Sequence, residues 1–305
     1  MRSPDLRTTA AAAATAALAV ALTACGASGS GGHGAIRGAG GSGSPSAARA
    51  AKAAHPAAAS AVVLRTVAAN TRKAATAHVR MTMSSPGQAA SVGFAGTMGW
   101  GARSGTDGAY TGIPAAPFQQ PDGKVYARSS GLVFYYKLSP AAAAKSGKHW
   151  MKLDMAALAA RSGASGLSSG LQNQVAQDPS ADVAALATAG VIKDRGTTTL
   201  DGRTVHEYSG DVPASRLVAA RPGLTPAQRR AELKALTGAG LTSTSVDVWV
   251  NADHYPVKLD QTVHGSTALR IVATFDHYGT ALDTTPPPAS DTIDANQQPA
   301  AGSGA

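Results

Sequence analysis

Strict alternation of apolar and polar residues is the feature that most constrains the fold of this chain. It is clearest in three consecutive segments within residues 246–275. In the first segment, Val246, Val248 and Val250 share one side, whereas Asp247 and Trp249 share the other. Because a repeat of two residues places successive side chains on opposite faces of a β-strand, the three segments predict three half-buried strands.

Earlier parts of the chain carry the same pattern. Strands are predicted over residues 77–83, 92–100, 124–128, 132–138, 149–153, 191–200 and 203–210. The dipeptides Pro86-Gly87, Asp122-Gly123 and Asp201-Gly202 predict turns before or between these strands. About ten strands joined mostly by hairpins favour one large antiparallel sheet, which is expected to curl.

A few segments predict helices. They are residues 57–75, the start of a helix at 154–160, residues 181–189 after an N-cap at Ser180, and residues 226–236. Thr225, Pro226 and Gln228 combine an N-cap, a proline in the first turn and a capping-box glutamine. The predicted class is therefore α+β: a large curved antiparallel sheet, or half-barrel, with a few helices on its concave side.

The N-terminal residues predict export and lipid attachment. Residues 1–24 resemble a signal peptide, with Arg2 and Arg7 before an uncharged alanine-rich run that is too short and too weakly apolar for a transmembrane helix. The segment "LTAC" ends at Cys25, the only cysteine in the chain, so an intramolecular disulfide is excluded. It resembles the bacterial lipobox, which implies cleavage before Cys25 and attachment of acyl chains such as palmitate. The resemblance implies an anchored protein on the outer face of the cell membrane.

Composition divides the remaining chain into three parts. Residues 25–55 are rich in Gly, Ser and Ala and predict a lipidated flexible linker, because they offer little apolar surface to bury. Residues 56–288 have a length suited to one domain. Residues 289–305 follow a proline run and predict a disordered tail.

The net charge of the chain is positive but dispersed. Loss of Arg2, Arg7 and Asp5 with the signal peptide lowers it from +9 to +8. No basic run is longer than two residues, which argues against binding of nucleic acid. A basic surface close to anionic headgroups is instead attracted to the membrane.

Motifs for catalysis, metal binding and cofactor binding are missing from the sequence. It contains no GxSxG, no HExxH and no cysteine pair, and its histidines are dispersed. Asp247, Asp260 and Asp276 point outward on late strands and could form a carboxylate pair, although solvated surface charges are the favoured interpretation. The sequence therefore predicts neither an enzyme nor a metal or cofactor site.

Four segments carry a resemblance to a known family. They are "GKHWMKLDM" (147–155), "GVIKDRGTTTLDGRTVHEYSGDV" (190–212), "VDVWVNADHYPVKL" (246–259) and "FDHYGTALDTTPPP" (275–288). In this order they resemble actinobacterial LppX/LprG-type lipoproteins, which share the half-barrel fold of the LolA/LolB carriers. The resemblance extends over about residues 57–288, and the Gly-Ser-rich stretch 162–170 departs from it. It implies an apolar cavity between sheet and helices that holds acyl chains, and no catalytic residues.

Apolar residues on the early strands are candidates for the lining of such a cavity. A strongly curved sheet encloses more volume than a few alanine-rich helices fill, and a space of several hundred Å³ would suit an acyl chain. Methionine adapts to irregular ligands because it is unbranched and polarisable. The predicted lining residues, which could instead fill an ordinary core, are Val79, Met81, Met83, Phe94, Met98, Phe134 and Tyr136.

These observations predict a membrane-anchored lipoprotein that binds a lipid or other amphiphilic or apolar ligand and carries or presents it without catalysis. The alternative is an envelope sensor or interaction module of the same fold that acts through a protein partner, and a packed interior would favour it. A third hypothesis is an enzyme, whose sign would be a buried carboxylate or histidine with a perturbed pKa in a cleft.

Overall fold

The structure is a computed structural model that describes residues 47–85, 91–161, 179–188, 192–220, 224–266 and 268–297. Cys25, the predicted signal peptide, the turn at Pro86-Gly87 and the stretch 162–170 lie outside the described residues. None of the helices in the described ranges is long and apolar enough to cross a bilayer.

Twelve strands form one open, curved sheet, which confirms the predicted α+β class. Its order is β12-β6-β5-β4-β3-β2-β1-β11-β10-β9-β8-β7, and every pairing is antiparallel except the parallel pair of β12 and β6. The strands are β1 (Thr76–Ser84), β2 (Val92–Gly99), β3 (Gly105–Thr111), β4 (Val125–Ser130), β5 (Val133–Lys137), β6 (Trp150–Asp154), β7 (Lys193–Leu200), β8 (Arg203–Pro213), β9 (Ser243–Val250), β10 (Pro256–His264), β11 (Leu269–Asp276) and β12 (Thr292–Asp294).

The helices are α1 (Ala47–Ala74), α2 (Pro140–Ser146), α3 (Met155–Arg161), α4 (Pro179–Thr188), α5 (Ala214–Ala220) and α6 (Pro226–Gly238). The predicted capping box begins α6: the Thr225 hydroxyl accepts from the Gln228 N–H, and the Gln228 side-chain oxygen accepts from the Thr225 N–H. Helix α1 begins at Ala47 rather than at residue 57, within the predicted linker 25–55. Alanine has the highest helix propensity, so an alanine-rich segment forms a helix without an amphipathic stripe.

The predicted disordered tail, 289–305, is in part ordered. Residues 292–294 form β12 beside β6, and residues 298–305 lie outside the described ranges. The Asn296 side-chain amide binds the backbone of Asp154 through two hydrogen bonds. Its oxygen accepts from the Asp154 N–H at 2.7 Å, and its nitrogen donates to the Asp154 carbonyl at 2.9 Å. The Lys152 ammonium lies 3.1 Å from the Asp294 carboxylate. Because hydrogen bonding to an open sheet edge stabilises this strand, low hydrophobicity does not prevent it from ordering.

Helices and loops cover one face of the sheet, here called the inner face, through two apolar clusters. The main cluster packs α1 and α4 against β1, β2 and β8 to β11, and its most buried members include Leu64, Val67, Val79, Val183, Leu186, Val246 and Val248. The second cluster packs α2 and the loop before β4 against β4 to β6, through Ala115, Phe118, Val125, Leu138 and Met151. Tyr110 on β3 packs against both clusters and so connects them.

Candidate functional site

The seven predicted lining residues share the inner face of the sheet. Directly paired residues of antiparallel strands point to the same side. Tyr136 pairs with Ala127, Ala127 with Gly108, Gly108 with Gly96, and Gly96 with Val79. The remaining predicted residues occupy neighbouring positions on the same face, at Met81, Met83, Phe94, Met98 and Phe134.

The two clusters nevertheless separate these residues. Val79 and Phe94 are buried in the main cluster, with Met81 and Met98 packed against it. Tyr136 packs against the second cluster, where its ring centroid lies 6.1 Å from that of Phe134. The predicted lining residues therefore share one continuous face of the sheet but pack into two separate apolar clusters.

Met83 and two tyrosines also lie on the inner face. Met83 lies near the end of β1, half-buried between Val92 and Ile271. Burial raises the pKa of the Tyr110 and Tyr136 hydroxyls. Both hydroxyls are therefore neutral at ordinary pH and add no charge to the inner face.

The void between this face and α4 is small. It measures about 30 Å³ and is bordered by Val79, Met81 and Met98 on the sheet side and by Asp182 on α4. A space of that size holds no more than a few water molecules. The sequence analysis expected several hundred Å³ here, but Val183 and Leu186 of α4, which have no solvent exposure, fill much of the space above the sheet.

A larger concavity opens on the opposite, outer face of the sheet. This outer trough has a volume of about 440 Å³. Gly93, Ala95 and Ala109 are the smallest residues that line it. The larger outward side chains that line it are Arg80, Thr82, Thr111, Lys124, Tyr126, Val272 and Thr274, and Met81 and Phe94 also border it.

The strand register explains why the outer trough lies where it does. One rung of the sheet runs from Thr274 through Arg80, Ala95 and Ala109 to Tyr126. Arg80 and Tyr126, which flank the two alanines on this rung, have long side chains, whereas the alanines extend only to Cβ. The difference in side-chain length leaves a depression along β2 and β3.

Two cationic side chains border the outer trough, and each forms only a weak ion pair with a neighbouring carboxylate. The Arg80 guanidinium lies 3.6 Å from the Asp276 carboxylate, and the Lys124 ammonium lies 3.6 Å from the Asp122 carboxylate. The Tyr126 hydroxyl donates to Asp122 at 2.7 Å, and this hydrogen bond lowers the pKa of the Asp122 carboxyl. Since exposed ion pairs contribute little, both cations can exchange their partner for the anionic group of a ligand.

Sequence reasoning missed the outer trough for an identifiable reason. It predicted the strand at residues 77–83 but did not predict β3, whose sequence GTDGAYT lacks alternating apolar residues. Without β3, the small outward residues Ala95 and Ala109 could not be seen as neighbours. The signal in the sequence was the group of small residues Gly93, Ala95 and Gly96.

Outward carboxylates on the late strands meet as one pair. Asp247 lies directly opposite Asp260, and Arg270 binds Asp260 through two hydrogen bonds of 3.0 and 2.6 Å. Burial, followed by the neighbouring charges of Glu207 and Asp260, raises the pKa of the Asp247 carboxyl. The Arg270 fork occupies both oxygens of Asp260, so this pair forms an ion-pair network on the sheet surface.

Asp276 lies apart from that pair, opposite His78 on β1. With His277 these residues form a group of three potential metal ligands, with the ligand atoms all within 4.8 Å of one another. Sequence reasoning treated these histidines as dispersed, because only the pairing of β1 with β11 brings residues 78 and 276 together.

Comparisons with known proteins give one relative in sequence and similar folds among solved structures. No family model matches the chain. The chain is 32% identical over 219 residues to an uncharacterized 31.2 kDa protein in the rplA-rplJ intergenic region of Streptomyces griseus, an alignment that covers 68% of this chain and 70% of that protein.

Two solved structures resemble this one. The lipoprotein LppX of Mycobacterium tuberculosis is 14% identical, with a TM-score of 0.43, over 74% of this chain and 98% of that chain. LprF of Mycobacterium bovis is 11% identical, with a TM-score of 0.41, over 75% of this chain and 96% of that chain. LppX is a protein of the type that the sequence motifs resemble. Identities of this size do not transfer a function from one protein to another.

Proposed function

The chain belongs to the family of the uncharacterized 31.2 kDa protein in the rplA-rplJ intergenic region of Streptomyces griseus, and we propose that it binds an anionic amphiphile in the outer trough and carries or presents it at the membrane. The observation that supports this function is a concavity of about 440 Å³ that combines a floor of small residues with two cations at its border. The ligand class is a lipid with an acidic headgroup.

The dimensions and chemistry of the outer trough suit such a ligand. Sites for small ligands have volumes of about 300–1,000 Å³ and combine an apolar surface with a few placed polar groups. An acyl chain lying over Ala95 and Ala109 would be stabilised by about 25 cal/mol per Å² of apolar surface removed from water. Arg80 and Lys124 would bind the acidic headgroup, and no bond is made or broken.

Membrane anchoring through Cys25 is the second part of the proposal. It is supported by the signal-peptide pattern and by the "LTAC" segment. Acyl chains on Cys25 would hold the domain at the outer face of the cell membrane, since two or more chains anchor a protein stably. Residues 26–46 separate this cysteine from the first residue of α1.

Substitution of Cys25 by serine is expected to move nearly all of the protein from the membrane fraction to the soluble fraction. Without the sulfur no diacylglycerol can be attached, and the expected membrane affinity of the acyl chains is lost. The measurement is cell fractionation combined with incorporation of labelled palmitate. A Thr23→Ser variant, which keeps a small residue before the cysteine, should fractionate and label as the unchanged protein does. Retention and labelling of the Cys25→Ser protein would contradict the anchor.

Substitution of Ala95 by tryptophan is expected to weaken binding of an anionic amphiphile at least tenfold. The indole would occupy the middle of the outer trough, and tenfold corresponds to loss of roughly 55 Å² of buried apolar surface. The measurement is titration calorimetry with lysophosphatidylglycerol, below its micelle concentration. The Ala95 side chain is exposed, so the substitution should leave the unfolding temperature nearly unchanged.

Two matched variants complete this test. Thr262→Trp places the same side chain on the outer face at β10, beyond the residues that line the trough, and should bind the ligand normally. Lys124→Gln should reduce the preference for lysophosphatidylglycerol over its zwitterionic choline analogue. If the unchanged protein binds neither lipid, or if both tryptophan variants bind equally well, the outer trough is not the site.

The packed inner face favours a second function, an envelope sensor or interaction module that acts through a protein partner. The observation is the void of only about 30 Å³ beneath α4. A photoreactive benzoylphenylalanine at position 126, on the border of the outer trough, separates the two functions in living cells. Adducts of lipid mass support the carrier, whereas a discrete protein adduct in place of lipid supports the interaction module.

A further inference from the structure

We propose that His78, Asp276 and His277 form a binding site for a borderline divalent metal ion such as Zn²⁺. The three residues lie on the outer face, where β1 begins and β11 ends. The three residues do not line the outer trough, and the site does not depend on the ligand proposed above.

Distances among the ligand atoms support this assignment. The Asp276 Oδ1 lies 2.7 Å from the His277 Nδ1 and 3.7 Å from the His78 Nδ1. Each of the three residues offers one ligand atom that lies within 4.8 Å of those of the other two. Zinc bonds of about 2.0–2.2 Å in a tetrahedral arrangement separate neighbouring ligand atoms by roughly 3.3–3.5 Å. Small rotations of exposed side chains bring the three atoms to that separation.

The backbone explains why the two imidazoles meet. His78 pairs directly with Asp276 across β1 and β11, so both side chains point outward. A residue that continued the strand after Asp276 would point to the opposite face. His277 instead has a φ of +48°, in the left-handed region, and its ring lies 5.7 Å from the His78 ring.

The second oxygen of the carboxylate has its own partner. The Arg80 guanidinium lies 3.6 Å from the Asp276 Oδ2, on the side away from the two histidines. Outer partners of this kind orient metal-ligating carboxylates. Because this ion pair is weak and exposed, it contributes to the direction of the carboxylate but leaves Arg80 able to bind a ligand in the outer trough, and Oδ1 remains directed at the imidazoles.

Other histidines in the described residues pair with a carboxylate but lack a third ligand. His149 lies 2.8 Å from Asp291, and His206 lies 2.5 Å from Asp194. Among the described ranges, a group of three such ligands occurs at His78, Asp276 and His277. The third ligand therefore distinguishes this cluster from an ordinary surface ion pair.

The donor set identifies the class of ion. Two imidazole nitrogens and one carboxylate oxygen suit Zn²⁺, Cu²⁺ and Ni²⁺ better than Ca²⁺ or Mg²⁺, which prefer oxygen ligands. Both histidines are exposed, so the remaining coordination positions are open to water. Affinity should be higher for Cu²⁺ than for Zn²⁺, as the general order of divalent ions predicts.

Calorimetric titration of the tag-free full chain with ZnCl₂ tests the proposal. One ion should bind per chain at this site, and His78→Ala and His277→Ala should each weaken the affinity at least about tenfold, the lower bound for loss of groups that merely orient a ligand. His149→Ala removes a paired surface histidine outside the cluster and should leave the affinity unchanged. Each variant is checked for an unchanged unfolding temperature.

Electron paramagnetic resonance with Cu²⁺ gives a second readout. The spectrum should show coupling to two imidazole nitrogens in the unchanged protein and to one in the His277→Ala protein. Cys25, His33 and His55 are present in every variant, so binding at those positions would give equal affinities throughout. Equal affinity in the His78→Ala and unchanged proteins, or an unchanged nitrogen coupling in His277→Ala, would overturn the proposal.

Discussion

Replacement of Trp100 by alanine is expected to lower the free energy of unfolding by about 4 kcal/mol, which is typical for truncation of a buried large aromatic residue. Trp100 is only 1% exposed and belongs to the main cluster. Its removal would leave a cavity between the end of α1 and the start of β1, since the surrounding backbone can relax only partly.

Hydrogen bonds of Trp100 add to this loss. The indole Nε1–H donates to the Thr71 carbonyl at 2.9 Å, and the Trp100 backbone N–H donates to the Ala75 carbonyl at 2.9 Å. Carbonyls in the last turn of a helix lack partners within the helix. Trp100 therefore satisfies part of the C-terminal end of α1 and fixes how the helix joins the sheet.

Urea denaturation of three variants separates packing from hydrogen bonding. Trp100→Phe keeps most of the aromatic ring but loses the N–H donor, and should cost about 1–2 kcal/mol. Trp249→Ala removes a half-buried indole from the outer face, where it donates to Glu207 at 3.1 Å, and should cost less than half as much as Trp100→Ala. Similar losses for Trp100→Ala and Trp249→Ala would show that Trp100 does not have the assigned role.

Local signals in the sequence predicted local structure well. The turn residues Asp201 and Gly202 both have positive φ angles, 49° and 76°, and they join the predicted hairpin of β7 and β8. The alternation of Val246, Val248 and Val250 gave β9, with these side chains buried on the inner face. These features depend on residues near one another in the chain, so a short window contains the information that determines them.

Elements held by their neighbours could not be predicted in this way. Strand β3 contains two glycines and a single large apolar residue, Tyr110, and pairing with β2 and β4 on both sides stabilises it. Strand β12 has only three residues and depends on the edge of β6.

Helix α2 is a different case, because a local signal for it was present in the sequence and was overlooked. It begins with a serine N-cap at Ser139 and a proline at Pro140.

The candidate sites depend on register between distant strands. His78 and Asp276 are opposite each other because β1, near the start of the domain, pairs with β11, near its end. The outer trough likewise needs Ala95 and Ala109 to lie side by side on β2 and β3. Alternation within a strand says which face a residue occupies, but it does not say which residue lies beside it on the next strand.

Gly96 is a position where that register has a strict steric requirement, and Gly96→Ala is expected to lower the free energy of unfolding by about 3 kcal/mol. A Cβ at this position would lie 2.3 Å from the Asp107 carbonyl oxygen and 2.5 Å from the Gly108 Cα. Both are backbone atoms of β3, so no side-chain rotation can relieve the overlap. The two strands would have to separate.

Separation of β2 and β3 would affect both apolar clusters. Gly96 and Gly108 face each other on the inner rung that links Val79 in the main cluster to Tyr136 in the second cluster. A Cβ at Gly108 would itself lie 2.5 Å from the Ala95 carbonyl oxygen. The glycine pair thus lets the two strands approach closely. β-Carbons at these positions would disturb the sheet between the strands that pack against the main cluster and those that pack against the second cluster.

Gly238→Ala is the matched control, because it makes the same chemical change at the last residue of α6, where a Cβ would meet no atom within 4 Å. Its stability should stay the same or rise by up to about 1 kcal/mol, since alanine restricts the unfolded chain more than glycine does. Urea midpoints of the two variants give the comparison. If the Gly96→Ala protein is as stable as the Gly238→Ala protein, β2 and β3 tolerate a wider spacing and the prediction is wrong. The sheet would then have to bend at other strands to bring its two apolar clusters together.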